Sequence, residues 1–341
     1  MGDPLRVGLA LALAALLTTA TVPLAIALAR RTGFLDSPQG YKSHLRPTPY
    51  LGGVGVLAAA LPAAMLLGGG DLLSRYWPLL AGAVFLAAVG ALDDRVNLSP
   101  WLRLALEAGA GWLLWSQDLG WSFLSSDLLD LALTAFWVMA LVNAFNLMDN
   151  MDGAAATVAA VCSAAIAVLA AIGDDAPLAV LAVALCGALL GFLRFNLAKP
   201  SRVFLGDGGS MPVGFLVAGA LMAVPMGEAS GWGTVAAAAL ITGLPIFDTT
   251  LVVISRRRRG AQVLSGATDH TTHRLRGFLG TPQAVCAALA LVEVCLGALA
   301  IEGTRLGNSA LVAIACFALL LAAATIAIAE SPGWMPVSDD S

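Results

Sequence analysis

Residues 5–29 read LRVGLALALAALLTTATVPLAIALA and are followed at once by Arg30 and Arg31. A helix needs about 20 apolar residues to cross ~30 Å of hydrocarbon, so this run predicts a membrane span. It is too long for the apolar part of a secretory signal, and its main positive charge follows rather than precedes it, so it is expected to stay uncleaved. Outward from it, runs of the same kind recur at about 51–70, 77–92, 100–116, 128–148, 153–172, 177–195, 211–226, 234–254, 282–301 and 308–329. These continuous Ala, Leu and Val stretches lack the alternation of a membrane barrel, so the spans are helices. Of the 341 residues, 59% are hydrophobic and 12% charged, against about 25% charged in a soluble domain. A soluble globular protein and a disordered chain are both excluded. The predicted fold is an all-α, polytopic integral membrane protein with about eleven transmembrane helices in one domain over 1–341. Ser99-Pro100, Thr281-Pro282 and Ser210 ahead of Pro212 pair a capping side chain with proline at the predicted helix starts.

Net charge is only −4, from 18 Lys and Arg against 22 Asp and Glu, and implies no nucleic-acid partner. Distribution is more informative. With the N-terminus outside, every Lys and Arg except Arg6, Arg75 and Arg305 falls on the cytoplasmic side, as the positive-inside rule requires. The expected placement is multi-pass in the cell (inner) membrane, N-out and C-in. Trp77, Trp115, Trp121 and Trp232 near the opposite ends fit an interfacial belt. Cys162, Cys186, Cys286, Cys295 and Cys316 lie inside apolar runs without metal-ligand spacing and read as packing residues.

Segments rich in His, Asp and Asn centre near residues 44, 93, 149, 207 and 270, each two spans from the next, so all face the cytoplasm. The sharpest signal is acidic: Asp93-Asp94 in GALDDRVNL, Asp149 and Asp152 in NAFNLMDNMDG, and Asp207 in FLGDGGS. Two like charges ~4 Å apart repel by about 4 kcal/mol at an effective dielectric of ~20. Five such groups at one site require a cation, and hard oxygen ligands favour Mg²⁺, with Mn²⁺ able to substitute. Each Asp alone reads as a solvated loop residue; five in one leaflet read as a site. The turn Gly206 to Ser210 before a helix near Met211 can present backbone N–H groups to phosphate oxygens, or serve only as a tight turn. The proline-rich loop Asp36 to Tyr50 carries Lys42, His44 and Arg46, which can meet an anion; a topogenic loop would explain the basic residues but not His44. Arg256 to Arg259 read as a charge anchor. In Asp269 to Leu275 a helix puts His270 and His273 on one face. Glu107 and Glu293, inside spans, read as helix-to-helix hydrogen-bonding groups.

Taken in order, KSHLRPTPYLGG, Asp93-Asp94, NAFNLMDNMDG, FLRFNLAKPSRVFLGDGGS, Pro245 to Asp248 and the histidine segment resemble the polyprenyl-phosphate N-acetylhexosamine-1-phosphate transferases, from Asp36 to Leu275. The resemblance implies Mg²⁺ on Asn146 and Asp207, with Asp93, Asp94, His270 and His273 as catalytic residues. It implies substrate contacts from Asp149, Asp152, Asn196 and Phe204 around the nucleotide, Arg274 near phosphate and sugar, and Arg103 where the family usually has a lysine near the acceptor phosphate. Lys42 and His44 are candidates for the same substrates. The implied partners are a UDP-N-acetylhexosamine and a polyprenyl phosphate in the bilayer. Relatives form dimers, so a homodimer is expected. The family's usual His-x-His-His-Arg-Leu appears as His270-Thr271-Thr272-His273-Arg274-Leu275, one histidine short. Three consecutive histidines, usual in phospho-N-acetylmuramoyl-pentapeptide transferases, are absent, which favours the GlcNAc branch over that alternative.

The implied reaction moves HexNAc-1-phosphate, GlcNAc-1-phosphate above all, to polyprenyl phosphate with release of UMP, the first membrane step of cell-envelope glycan synthesis. Catalysis would be mainly positioning and charge stabilisation. Asp93 could orient the acceptor, complete the metal's outer shell, or act as a nucleophile. A nucleotide-sugar or cation transporter is the rival class, disfavoured because carriers hold substrate near the midplane. An aspartyl protease is disfavoured because Val203 to Asp207 lacks the Gly-x-Gly-Asp pattern.

Overall fold

A computed structural model describes residues 4–36, 47–260 and 269–331. It is helical apart from a short antiparallel ribbon, β1 (Leu35–Asp36) and β2 (Thr48–Pro49). The helices are α1 (Pro4–Thr32), α2 (Gly52–Val96), α3 (Pro100–Ser116), α4 (Asp127–Met148), α5 (Ala154–Ile172), α6 (Ala176–Asn196), α7 (Asp207–Ala223), α8 (Trp232–Ile241), α9 (Gly243–Arg258), α10 (Thr271–Leu279), α11 (Pro282–Leu306) and α12 (Asn308–Ala329). Among the described residues seven of these are long and apolar enough to cross a membrane, and eight if α8 and α9 form one broken span. The protein is a polytopic, all-helical membrane protein. Lys42 and His44 lie outside the described residues.

Three boundaries differ from the sequence reading. The two helices expected at 51–70 and 77–92 are both present within α2, but they meet directly at a kink at Gly69, φ 65°, with no linker between them. At 1.5 Å per residue its 45 residues would exceed any bilayer as a single straight helix, and the break divides it into two arms. Helix α7 starts at Asp207 rather than near 211, because Gly206 at φ 73° supplies the turn that places Asp207 in the first helical position. Ser210 is therefore inside the helix.

The span expected over 234–254 is bent by 81° between α8 and α9. Pro245 has no N–H to give to the preceding turn, and the groups set free find partners on neighbouring helices. The Leu244 N–H donates to Glu293 Oε2 at 3.2 Å, and the Ile241 carbonyl accepts from Cys162 Sγ at 2.9 Å. Cys162 Sγ also lies 3.2 Å from Glu293 Oε1. Such repair is what lets a broken helix survive in lipid. Glu293→Ala should cost about 1–3 kcal/mol by stranding the Leu244 amide; an unchanged unfolding midpoint in detergent would refute the repair. Glu107 plays the expected interhelical role, accepting from Asn143 Nδ2 at 2.5 Å. Cys162, Cys186 and Cys286 are buried, whereas Cys295 and Cys316 are exposed on the outer helices and are not packing residues.

Helix α2 packs against α7, α1 and α6. Glycine makes the closest approach possible: a Cβ on Gly90 would sit 2.1 Å from the Asp207 carbonyl oxygen, and one on Gly53 1.9 Å from Gly209 Cα. These contacts bring the ends of α2 and the start of α7 together.

Candidate active site

Asp93 and Asp94 occupy the last turn of α2, within reach of the start of α7. Asp94 accepts the backbone N–H groups of Asp207 and Gly208, each at 3.2 Å. The helix N-terminus expected to receive phosphate is thus capped by a carboxylate, the favourable charge for that end of the dipole. Asp93 is buried, accepting the Leu98 N–H at 2.6 Å on Oδ1 and Arg103 Nη1 at 2.7 Å on Oδ2. Asn97, at φ 51°, turns the chain between the two helices. The Ser99 hydroxyl and Pro100 then start α3, so Arg103 lies one turn in and returns over Asp93.

Arg103 is the hub. Besides Asp93 it reaches Asp207 Oδ2 at 3.5 Å and donates from Nη2 to Asn146 Oδ1 at 3.2 Å. Asn146, from the last turn of α4, donates in turn to Asp207 Oδ1 at 2.6 Å and Ser210 Oγ at 3.0 Å. Four helices therefore each contribute one group: Asp93, Arg103, Asn146 and Asp207. Asp149, just beyond α4, borders this cluster. Burial first, then the charge of Asp207, pushes its carboxyl well above the ordinary aspartate range, while a hydrogen bond from the Gly206 backbone opposes the shift. Asp94 and Asp152 add to the crowding.

The residues fit a shared cation better than a closed cage. Among the described residues no three His, Cys, Asp or Glu side chains form a metal-holding group. Mg²⁺ usually takes one or two protein carboxylates and leaves the other positions to phosphate and water. Asp207 suits that use: its side chain is 28% exposed and its Oδ2 meets Arg103 only at 3.5 Å. Asn146 turns its amide nitrogen toward Asp207, so as arranged it orients that carboxylate.

The loop between α6 and α7 is held from inside. Asn196, expected near a nucleotide, is buried and accepts the Gly153 N–H at 2.6 Å while donating to the Val203 carbonyl at 2.8 Å. It clasps the turn of Asp152 to the segment before Asp207 and leaves no donor facing outward. Phe204 is half-buried, with its backbone bonded to Pro49 and Gly52.

The histidine segment is tied to the same region by a hydrogen bond from the Thr272 hydroxyl to Asn150 Oδ1, beside Asp149. His270 is buried, its Nδ1 2.8 Å from Asp248 Oδ2. His273 lies on the same side, the two rings 6.3 Å apart. Burial, with His270 and Arg276 nearby, holds the His273 imidazole below its ordinary range. Asp248 closes the matching segment Pro245 to Asp248, but the sequence reading gives it no role; its contact with His270 emerges only in the structure.

Arg274 does not join this group. It donates to Glu330 Oε1 at 2.7 Å, the Ala329 carbonyl at 2.5 Å and the Asp269 carbonyl at 3.2 Å, locking α10 to the end of α12. Adjacent helical residues point about 100° apart, so Arg274 cannot share the face of His273. Arg256 and Arg259 form ion pairs with Asp269. Burial raises the Asp269 carboxyl, but those two guanidinium groups outweigh it and hold the group below its ordinary range.

An apolar cavity of about 360 Å³ opens between α2 and α3, lined by Gly82, Phe85, Leu106, Gly109, Ala110 and Leu113 among others. Its lining residues Leu106, Ala110 and Leu113 share one face of α3 with Arg103, which lies one turn before Leu106.

The family model described as Glycosyl transferase family 4 matches residues 76–224. A decaprenyl-phosphate N-acetylglucosaminephosphotransferase of Mycobacterium tuberculosis is 33% identical over 320 residues, covering 80% of this chain and 77% of the relative. An undecaprenyl-phosphate alpha-N-acetylglucosaminyl 1-phosphate transferase of Escherichia coli is 30% identical over 291 residues, covering 81% and 78%. A probable undecaprenyl-phosphate N-acetylglucosaminyl 1-phosphate transferase of Bacillus subtilis is 27% identical over 283 residues, covering 80% and 78%.

Proposed function

The chain belongs to glycosyl transferase family 4, alongside the polyprenyl-phosphate N-acetylglucosamine-1-phosphate transferases, and from that premise we propose that it transfers GlcNAc-1-phosphate to a polyprenyl phosphate. UDP-GlcNAc is the donor in this reading and UMP the second product. The observation that carries it is the meeting of Asp93, Arg103, Asn146 and Asp207 from four helices, one turn along α3 from an apolar cavity between α2 and α3. One substrate is a charged nucleotide and the other a lipid, and this is a place where both can be held.

An oxygen of the acceptor phosphate attacks the sugar-linked phosphorus, a new P–O bond forms, and the bond to the UMP oxygen breaks. A phosphate monoester, with its second pKa near ~6, is already largely dianionic at neutral pH and needs no base. Both Asp93 oxygens are engaged, which supports a role in aiming Arg103 at phosphate rather than as nucleophile. Asp207, oriented by Asn146, would hold Mg²⁺ together with substrate phosphates. The ion supplies charge neutralisation for the pyrophosphate. Arg103 supplies planar donors to the same oxygens.

Counting α2 as two crossings about Gly69, α8 with α9 as one, and α3 and α7 as short ones gives eleven, the odd number of an N-out, C-in chain. The basic ends of α1 and α9, with Arg95 and Arg103, support a cytoplasmic site in a single catalytic domain.

The prenyl tail lies in the groove between α2 and α3 in this reading. A Cβ on Gly109 would meet nothing within 4 Å, so a large side chain there enters the groove without disturbing the core. Gly109→Trp is expected to raise KM for undecaprenyl phosphate about tenfold or more, since each CH₂ excluded from apolar cover costs ~0.8 kcal/mol. KM for geranyl phosphate should stay near its parent value; an equal rise for both would place the tail elsewhere. The function itself is tested with purified protein, Mg²⁺, undecaprenyl phosphate and each of several UDP-sugars, following UMP and the lipid product. Release of UMP with no lipid-linked sugar, or transfer from UDP-MurNAc-pentapeptide alone, would defeat it.

A further inference from the structure

We propose that Asp248 is the positioning residue for His270, fixing the ring so that Nε2 is the nitrogen presented to the donor; the inference rests on the transferase reading. Asp248 is 1% exposed and His270 4% exposed, so their contact is shielded from water. Oδ2 of Asp248 is 2.8 Å from Nδ1 of His270, and Oδ1 accepts the Thr271 N–H at 2.7 Å. One carboxylate thus holds both the ring and the backbone next to it. A carboxylate only accepts, so the proton in the contact sits on Nδ1. Nε2 makes no hydrogen bond among the described residues.

Each anchor is itself fixed. Asp248 lies in α9 a turn after the break, whose freed amide is tied to Glu293. On the other side, the Thr272 bond to Asn150 keeps the start of α10 beside the Asp149 loop. Thr272 stands where the family usually has a further histidine, so His270, held at Nδ1 and through its flanking backbone, is the ring whose orientation the protein sets. Its Nε2 is the free ring atom for an oxygen or amide group of the donor sugar-phosphate.

The chain has three histidines, His44, His270 and His273, so ¹⁵N-histidine labelling of the full protein in detergent resolves them, with His44→Gln and His273→Gln assigning the signals. At a pH where the ring is neutral, the expected wild-type spectrum has His270 protonated at Nδ1 with a pyridine-type Nε2. Asp248→Asn should abolish that preference and lower kcat about 100-fold, with donor KM within about threefold. Added to His270→Gln, Asp248→Asn should cause little further loss, whereas a purely structural Asp248 would lower activity in both backgrounds. A neutral wild-type ring with its proton on Nε2 overturns the proposal, as does an unchanged tautomer in Asp248→Asn. The wild-type spectrum decides even if that variant fails to fold. It also decides if the protein shows no transfer, which would overturn the transferase reading separately.

Discussion

Asp207→Asn is expected to lower kcat by about 10³-fold or more while leaving the fold at least as stable. The oxygen of the new amide can still accept from Asn146, so the local hydrogen bonding survives. What disappears is one negative charge at a point where Asp93, Asp94 and Asp149 are already crowded. Relief of that repulsion favours the folded state, the usual opposition between stability and a charged site. The same charge is the anionic ligand proposed for Mg²⁺, and loss of a group that stabilises charge in the transition state typically costs about 10²–10³-fold in rate, before any loss of metal. Half-saturation by Mg²⁺ should therefore rise at least about tenfold, and EDTA should abolish wild-type turnover. Activity within about tenfold of the parent at unchanged Mg²⁺ dependence would remove Asp207 from the metal site. A lowered unfolding midpoint would instead mean that the substitution damages the start of α7.

Arg103 should separate charge from geometry. Arg103→Met leaves the buried Asp93 carboxylate without its cation, and stranding one partner of a buried pair costs about 3–5 kcal/mol. Activity should fall by about 10³-fold or more, because phosphate then meets uncompensated carboxylates. Lysine keeps the charge. One ammonium can stand where Nη1 lies between Asp93 and Asp207, but it cannot also supply the Nη2 bond to Asn146. Arg103→Lys is therefore expected to stay within about tenfold of wild type. Pairing Arg103→Met with Asp93→Leu should recover stability by removing the stranded charge, yet leave activity lost. Recovery of activity in that double variant would show that the guanidinium serves only to neutralise Asp93.

The aspartates were legible because they interrupt apolar runs at the ends of expected helices, where an ionised group bordering hydrocarbon is costly without a partner. Their separate duties were not. Asp93 and Asp94 are neighbours in the chain, yet one pairs with Arg103 and the other caps α7. Asn196 falls in a matching segment and still faces inward, since the loop before α7 carries buried backbone groups that need a partner. Arg274 adjoins His273, but one residue along a helix turns it toward Glu330. The bend before α9 hides in an unbroken apolar run because Cys162 and Glu293, far away in sequence, satisfy the freed groups.

Hydrophobic length acts locally, residue by residue against lipid and water, so the chain alone determined that this is a helical membrane protein whose polar residues cluster in a few segments between apolar runs. Which carboxylate meets which donor depends on how closely helices approach. That was decided only in the tertiary structure, where Gly53 and Gly90 let α2 and α7 touch at backbone distance and so set Asp94, Asp207 and Arg103 against one another.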